Sequence, residues 1–333
     1  VNSQTPQYTS LPKPSWPTHG WEVSSPEDQG IDPEKLQRMF AIIDEFPHLD
    51  IHSVLIIRKG YIVAEKYYPP YSETKKNALF SCTKSVISAL IGIAINDGSI
   101  KGVNQSVLDY FPDQLSANPD PLKNQMTLED LLTMRSGLEW HEGNAEYQGM
   151  YTARDWIGFV LKKPIVSEPG SQFNYCSGCS HVLSGVIRAS TGMTTQDFAK
   201  SRLFTPLGIK DLYWEQDASG NAIGGWGLEL TARDMAKFGY LYLHNGVWED
   251  KQIIPSEWVS QSAQMWVKSS DKWGYGYQWW VKPITRTISA QGLHGQQIYV
   301  IPDQDMVIVV TAGKDDGTVL GDLVYNTAIS AIR

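Results

Sequence analysis

Ser81-Cys82-Thr83-Lys84 stands at the head of the apolar run Val86-Ile87-Ser88-Ala89-Leu90-Ile91-Gly92-Ile93-Ala94-Ile95. A serine three residues before a lysine, at the mouth of a buried helix, is the arrangement of an activated hydroxyl nucleophile. Positions i and i+3 share a helix face, so the Ser81 hydroxyl and the Lys84 amine come within reach of each other. Burial disfavours the ammonium form and leaves an amine able to accept the hydroxyl proton. The helix N-terminus also presents unpaired backbone N–H groups that can hold a developing oxyanion. The plainer reading makes Ser81 an N-cap and Lys84 a solvated lysine of the first turn. Ser-x-x-Lys is short enough that its surroundings must decide between the two.

The chain has 333 residues, of which 42% are hydrophobic and 19% charged, a composition that predicts a folded globular protein of two packed lobes or one large domain. A net charge of −8 without long like-charge runs or a basic stripe argues against a nucleic-acid partner. The longest apolar run is interrupted by Gly92 and ended by Asn96-Asp97-Gly98, short of the ~20 residues a membrane span needs. The sequence opens Val1-Asn2-Ser3 with no charged-then-apolar leader, so the expected location is periplasmic or secreted with the signal removed, or otherwise cytoplasmic. Cys82, Cys176 and Cys179 are too few for a disulfide framework. The Cys176-x-x-Cys179 spacing admits a redox or metal reading, but only His181 lies near as a further ligand and zinc needs about four. We expect structural, metal-free cysteines beside a tight seam, with one pair able to bridge in an exported protein.

Residues 1–30 are proline-punctuated and aperiodic, and read as an extended arm. Asp32-Pro33 opens a helix to about residue 46, and residues 53–58 and 61–66 form a hairpin around Lys59-Gly60. Thr127 caps a helix ending at Ser136-Gly137, and residues 139–151 read as a long aromatic loop lining a cleft, with Tyr151 at its end. Helical patterns follow at 155–161, 181–190, after Thr194-Thr195, from Thr231 to about 244, and from Pro255 to about 261. Strand-like runs occupy 273–281, 285–291, 296–301 and 306–312, before a helix from about 317 to 332. The hairpin has no other sheet to join. The expected fold is therefore of the α+β type within the broad α/β class: one antiparallel sheet flanked by helices (31–105 with 225–333), plus a mainly helical lobe (106–224), with the Ser81 helix at the seam.

In this order the elements resemble the penicillin-recognising serine hydrolases, in the branch that holds class C β-lactamases, family VIII carboxylesterases, DD-peptidases and 6-aminohexanoate-dimer hydrolases. The likeness runs from about residue 30 to the end. It is carried by Ser81-x-x-Lys84, by Tyr175-Cys176-Ser177 in place of Tyr-x-Asn, and by Ala290-Gln291-Gly292-Leu293-His294-Gly295. The segment from Thr127 to Gly137 supports it. The resemblance implies a β-lactamase/transpeptidase-like fold, an acylated Ser81, Lys84 sharing its proton, and Tyr175 as the tyrosine whose phenolate oxygen relays the proton to the leaving group. Ser177 stands where many relatives carry asparagine; its hydroxyl can still donate to a substrate carbonyl, though it reaches less far. No lysine stands where β-lactamases carry Lys-Thr-Gly, which removes the cation that would hold a substrate carboxylate. The backbone N–H groups of Ser81 and Leu293 are the implied oxyanion hole. Gly292, His294, Gly295 and Tyr151 are the remaining substrate-contact candidates, His294 being equally readable as a solvated turn histidine.

The expectation is a serine hydrolase that cleaves a small ester or linear amide through an acyl-serine, without cofactor or metal. The alternatives are β-lactamase or DD-peptidase activity, or a non-catalytic binding protein of the same fold; the last has no need of Ser81, Lys84 and Tyr175 together. The aromatic stretch Trp273-Gly274-Tyr275-Gly276-Tyr277-Gln278-Trp279-Trp280 and the missing third-motif lysine point away from β-lactams. There is no Gly-x-Ser-x-Gly elbow, His-Glu-x-x-His site, phosphate-binding loop or dinucleotide fingerprint, and His141-Glu142 is followed by Gly143-Asn144-Ala145.

Overall fold

Strand β2 (Ile51–Arg58) is buried along its whole length, and its alternation splits the molecule in two. Val54 and Ile56 face a core built with helices α1 (Pro33–Asp44) and α12 (Gly317–Ser330), while Leu55 and Ile57 face a larger core on the other side. Opposite-pointing side chains at period two produce this division without any change of composition. The structure is a computed structural model that describes residues 15–117, 120–314 and 317–333.

The strands in chain order are β1 (Glu22–Val23), β2, β3 (Tyr61–Tyr67), β4 (Lys76–Ala78), β5 (Tyr213–Trp214), β6 (Leu228–Thr231), β7 (Val247–Trp248), β8 (Lys251–Gln252), β9 (Val267–Lys268), β10 (Gly274–Tyr275), β11 (Trp280–Lys282), β12 (Thr287–Gly292), β13 (Gln296–Ile301) and β14 (Met306–Ala312). Among the described residues the main sheet runs β1-β3-β2-β14-β13-β12-β11-β10-β9. The N-terminal hairpin joins the C-terminal strands through β2 and β14, Ile308 opposite Ile56, as expected for strands with no other partner. All pairings in it are antiparallel except β1 with β3.

That exception adds two residues of the N-terminal arm to the sheet. Residues 1–14 lie outside the described residues, but Glu22 and Val23 pair with Tyr61 and Ile62, and Ile31 bridges Ile332. Two residues of edge pairing leave no alternation to read in a sequence.

Helix α2 (Thr83–Asn96) runs through the larger core with nearly every side chain buried. Its glycine is a packing device: a Cβ on Gly92 would lie 2.4 Å from the Trp258 ring. The remaining helices are α3 (Pro112–Ala117), α4 (Pro121–Gln125), α5 (Leu128–Leu132), α6 (Asn144–Thr152), α7 (Trp156–Leu161), α8 (Ser177–Thr191), α9 (Thr195–Ala199), α10 (Ala232–Leu243) and α11 (Ser256–Ser262). Thr127 forms the expected capping box, with Asp130 of α5 as the acidic partner.

Two expectations fail here. Residues 139–151 are not a continuous loop, because α6 occupies most of the stretch. It is held by contacts the sequence does not announce: Met150 is buried, Gly149 sits against the Phe159 ring and Glu146 pairs with Lys163 at 2.6 Å. Residues 273–281 form two short strands instead of one, because the backbone turns at Gln278, whose φ is +60°. Of the aromatic side chains there, Tyr275, Tyr277 and Trp279 are buried in the core.

Candidate active site

Ser81 lies in a single 3-10 turn, Phe80–Cys82, that runs straight into α2. Leu79 N–H donates to the Leu228 carbonyl at 2.8 Å, tying this turn to β6. Phe80, directly before the serine, has φ +45°, a left-handed conformation that costs a bulky residue on the order of 1–3 kcal/mol. The far wall is the end of β12. A Cβ on Gly292 would stand 2.3 Å from the Leu79 carbonyl oxygen, so only glycine allows the strand to approach the serine turn this closely. The next residues, Leu293 to Gly295, form a tight turn in which His294 has φ +62° and its ring packs edge-on against Phe80 at 5.1 Å. Gly295, at φ +87°, closes that turn. Beyond Ser289 the edge of β12 away from β13 has no strand partner among the described residues, since β11 pairs only from Trp280 to Lys282.

Lys84 is 1% exposed, with its amine 2.8 Å from Ser81 Oγ and 2.7 Å from the Gly225 carbonyl. Burial lowers its pKa to about 8, partly countered by the Glu142 charge. Tyr175 closes the third side. The Lys84 amine stands 4.9 Å from its ring centroid, and Trp280 stacks on its other side at 5.9 Å. Burial pushes the Tyr175 phenol far above its usual range, which its hydrogen bond to Ser81 only partly offsets. Burial thus favours the neutral form of both the Lys84 amine and the Tyr175 phenol.

Ser177 is brought to the same place but is not left free. Its hydroxyl and its backbone N–H both donate to the Glu142 carboxylate, the N–H at 3.0 Å, and it is 1% exposed. Trp140 Nε1 donates to the same carboxylate at 2.6 Å, and the Tyr147 hydroxyl is its fourth donor. Burial would raise the Glu142 carboxyl, but the Lys84 charge and these hydrogen bonds outweigh it and hold the group ionised, below the usual carboxylate range. Sequence reasoning passed over Glu142. Its one signal was a carboxylate among Trp140, Tyr147 and Tyr151 in a stretch already assigned to the cleft.

Tyr151 is 54% exposed and meets Trp156 at 5.0 Å and Trp226 at 6.3 Å. Trp226 directly follows the glycine whose carbonyl holds Lys84, so this aromatic face borders the site. Cys176 and Cys179 form a disulfide across the first turn of α8, and Cys82 is a buried free thiol. All three lie in the packing behind Ser81 and Tyr175, fully buried.

A serine hydroxyl bonded to a buried lysine amine, closed in by a tyrosine on a mixed sheet-and-helix scaffold, is the arrangement of the penicillin-recognising serine hydrolases. The Beta-lactamase family model matches residues 41–327, and the chain belongs to that family. The chain is 23% identical over 321 residues to the 6-aminohexanoate-dimer hydrolase of Paenarthrobacter ureafaciens, covering 88% of this chain and 82% of that protein. It is 31% identical over 169 residues to the D-aminopeptidase of Brucella anthropi, covering 47% of this chain and 31% of that one. A crystal structure of a family VIII carboxylesterase superposes with a TM-score of 0.75 at 15% identity, over 93% of this chain and 98% of that one. The protein is a serine hydrolase. Among the described residues no helix is long and apolar enough to cross a membrane.

Proposed function

We propose that this protein hydrolyses a small ester or linear amide through an acyl-Ser81 intermediate. The observation that carries the reading is the 2.8 Å contact between Ser81 Oγ and a lysine amine whose burial brings its pKa to about 8. With one Lys84 N–H donated to the Gly225 carbonyl, the lone pair of the neutral amine faces the Ser81 hydroxyl and takes its proton as Oγ attacks the substrate carbonyl. The oxyanion is received by the backbone N–H groups of Ser81 and Leu293, brought together because Gly292 lets β12 reach the serine turn. Tyr175, held protonated, passes a proton to the leaving alcohol or amine and recovers it from Lys84. Water then attacks the acyl-serine by the same groups in reverse.

The substrate lies along the open edge of β12, with Gly292, His294 and Gly295 at one end and the Tyr151–Trp226 face at the other. Ser177 acts on it indirectly, by fixing Glu142. Two features disfavour substrates that need their carboxylate held: the third motif reads Ala290-Gln291-Gly292, without a cation, and Glu142 brings a negative charge to the site. A charge-assisted contact is worth roughly 1.5–3 kcal/mol, or about one to two decades in rate. The names of the relatives, a 6-aminohexanoate-dimer hydrolase, a D-aminopeptidase and a lovastatin esterase, favour esters and linear amides.

The test sets short-chain p-nitrophenyl esters, a linear amide dimer and nitrocefin side by side, with Ser81→Ala as control and a serine-directed phosphonate as label. The expected result is ester or amide turnover far above that of nitrocefin and label on Ser81 alone. Turnover surviving in Ser81→Ala, or label elsewhere, refutes the mechanism. Nitrocefin turnover equal to that of the esters refutes the substrate class.

A further inference from the structure

Between the helices behind the site lies a histidine–aspartate pair that the reaction as drawn does not use. His181 on α8 is fully buried, and its Nε2 is 3.0 Å from Asp217 Oδ2, whose side chain is 1% exposed. Asp217 is heavily solvated by protein: Oδ1 accepts the N–H groups of Ser219 at 2.8 Å and Asn221 at 2.9 Å, and Oδ2 accepts Asn221 Nδ2 at 2.9 Å. Burial would raise this carboxyl, but the bonds from His181 and Asn221 outweigh it and bring its pKa down to about 2. An ionised carboxylate only accepts, so His181 Nε2 carries the donated proton, and the Gly224 N–H directed at Nδ1 makes that atom the acceptor. Into that acceptor the backbone N–H of Gly224 donates at 3.4 Å.

The next residue is Gly225, whose carbonyl holds the Lys84 amine. The two glycines lie flat on α8. A Cβ on Gly224 would stand 2.1 Å from the Ser180 carbonyl oxygen, and one on Gly225 2.7 Å from that of Ser177. The N–H at Nδ1 belongs to the Ile223–Gly224 peptide and the carbonyl at Lys84 to the Gly225–Trp226 peptide, so the ring acts on that carbonyl by anchoring the start of the glycine loop that carries it, while the close packing on α8 limits how the loop can turn. A histidine–aspartate pair in a serine hydrolase invites assignment as the general base. Here both ring nitrogens are engaged, one by Asp217 and one by Gly224, and Ser81 has Lys84 instead.

We propose that His181 and Asp217 are positioning residues for Lys84: they anchor the glycine loop at the Gly224 N–H, the anchored loop holds the Gly225 carbonyl in place against α8, and that carbonyl aims the amine lone pair at Ser81. The inference rests on the reading of Lys84 as the base for Ser81. Its consequence lies in the chemical step and not in substrate binding, because neither residue reaches the open edge of β12. A misplacement of about 1 Å in a reacting group costs on the order of 100-fold in rate.

Two substitutions divide the ring's contacts. His181→Gln keeps a donor toward Asp217 and loses the acceptor for Gly224; His181→Asn places an oxygen near the Nδ1 position and gives up Asp217. Each variant is checked by thermal melting, then assayed for kcat and KM on a p-nitrophenyl ester and for the single-turnover rate of Ser81 acylation, read by mass. The expected result is a kcat and acylation rate about 10–100-fold lower in His181→Gln at a KM within about threefold of wild type, with His181→Asn closer to wild type. An unchanged acylation rate in His181→Gln, or a raised KM at unchanged kcat, overturns the proposal. Should the glutamine variant not fold, Asp217→Asn, which keeps the shape but releases the ring tautomer, decides by the same split. Failure of the underlying reading is separate and visible in the wild type, which would then form no Ser81 adduct at all.

Discussion

Replacing Glu142 by glutamine tests the electrostatics of the site. In the wild type the Lys84 amine titrates at about 8, so about a tenth of it is neutral at pH 7, and the base becomes available as the pH rises. The acid limb of kcat/KM should climb tenfold per pH unit and level off above about 8. Glu142 raises the Lys84 pKa against the lowering by burial, because a negative charge favours the ammonium form. An opposite charge within about 4–6 Å is worth about 1–3 units, and the lower end suits a carboxylate already satisfied by Trp140, Tyr147 and both donors of Ser177. Removing the charge while keeping the shape should lower the Lys84 pKa by about one unit, or about 1.4 kcal/mol of differential stabilisation. The limb then moves to lower pH, and at pH 7 the neutral fraction rises to about a half. The plateau should fall at the same time, because the new amide NH2 faces donors and loosens Ser177. The assay is ester hydrolysis followed by acid release in a pH-stat, with kcat/KM fitted for midpoint and plateau separately. A midpoint that stays put or moves up in Glu142→Gln refutes the coupling. A wild-type limb centred among ordinary carboxylates refutes Lys84 as the base.

Gln278 donates to the Leu131 and Leu132 carbonyls at 3.0 Å each and accepts from Ser180 Oγ at 2.6 Å; in Gln278→Leu the carbonyls keep the backbone N–H groups of Met134 and Gln278, so the change should strand the buried Ser180 hydroxyl and cost about 1–3 kcal/mol, measured by denaturant unfolding. A loss under about 1 kcal/mol would show that the hydroxyl finds another partner. Gly292→Ala should lower kcat/KM by about 100-fold with a smaller effect on stability, because the new methyl group drives β12 away from the Leu79 carbonyl and separates the two oxyanion donors; activity within threefold of wild type would contradict the close approach. In the absence of reductant one thiol should titrate in the denatured protein and none rapidly in the native one, since Cys176 and Cys179 are paired and burial raises the Cys82 thiol well above its usual value. Rapid reaction of a native thiol would show that this packing opens.

Much of this was legible in the sequence because it is local. Ser81 and Lys84 meet through helix spacing, Thr127 and Asp130 through a capping box, and the strands of the sheet show as strand-like runs separated by turn residues. Each signal is written within a few neighbouring positions. What tertiary structure decided is where distant groups meet. Glu142 acquired its place only when Trp140, Tyr147 and Ser177 converged on its carboxylate. Gly225 became the anchor of Lys84 from 141 positions away, and His181, met in the sequence as a stray ligand for a metal reading, turned out to hold the loop behind it. Helix α6 lacks an apolar period and stands because Phe159 and Lys163 support it from outside. The approach of Ser81 and Lys84 follows from chain geometry, which the sequence encodes directly. The charge beside the amine and the carbonyl that holds it depend on burial and long-range contact, which exist only once the chain has folded.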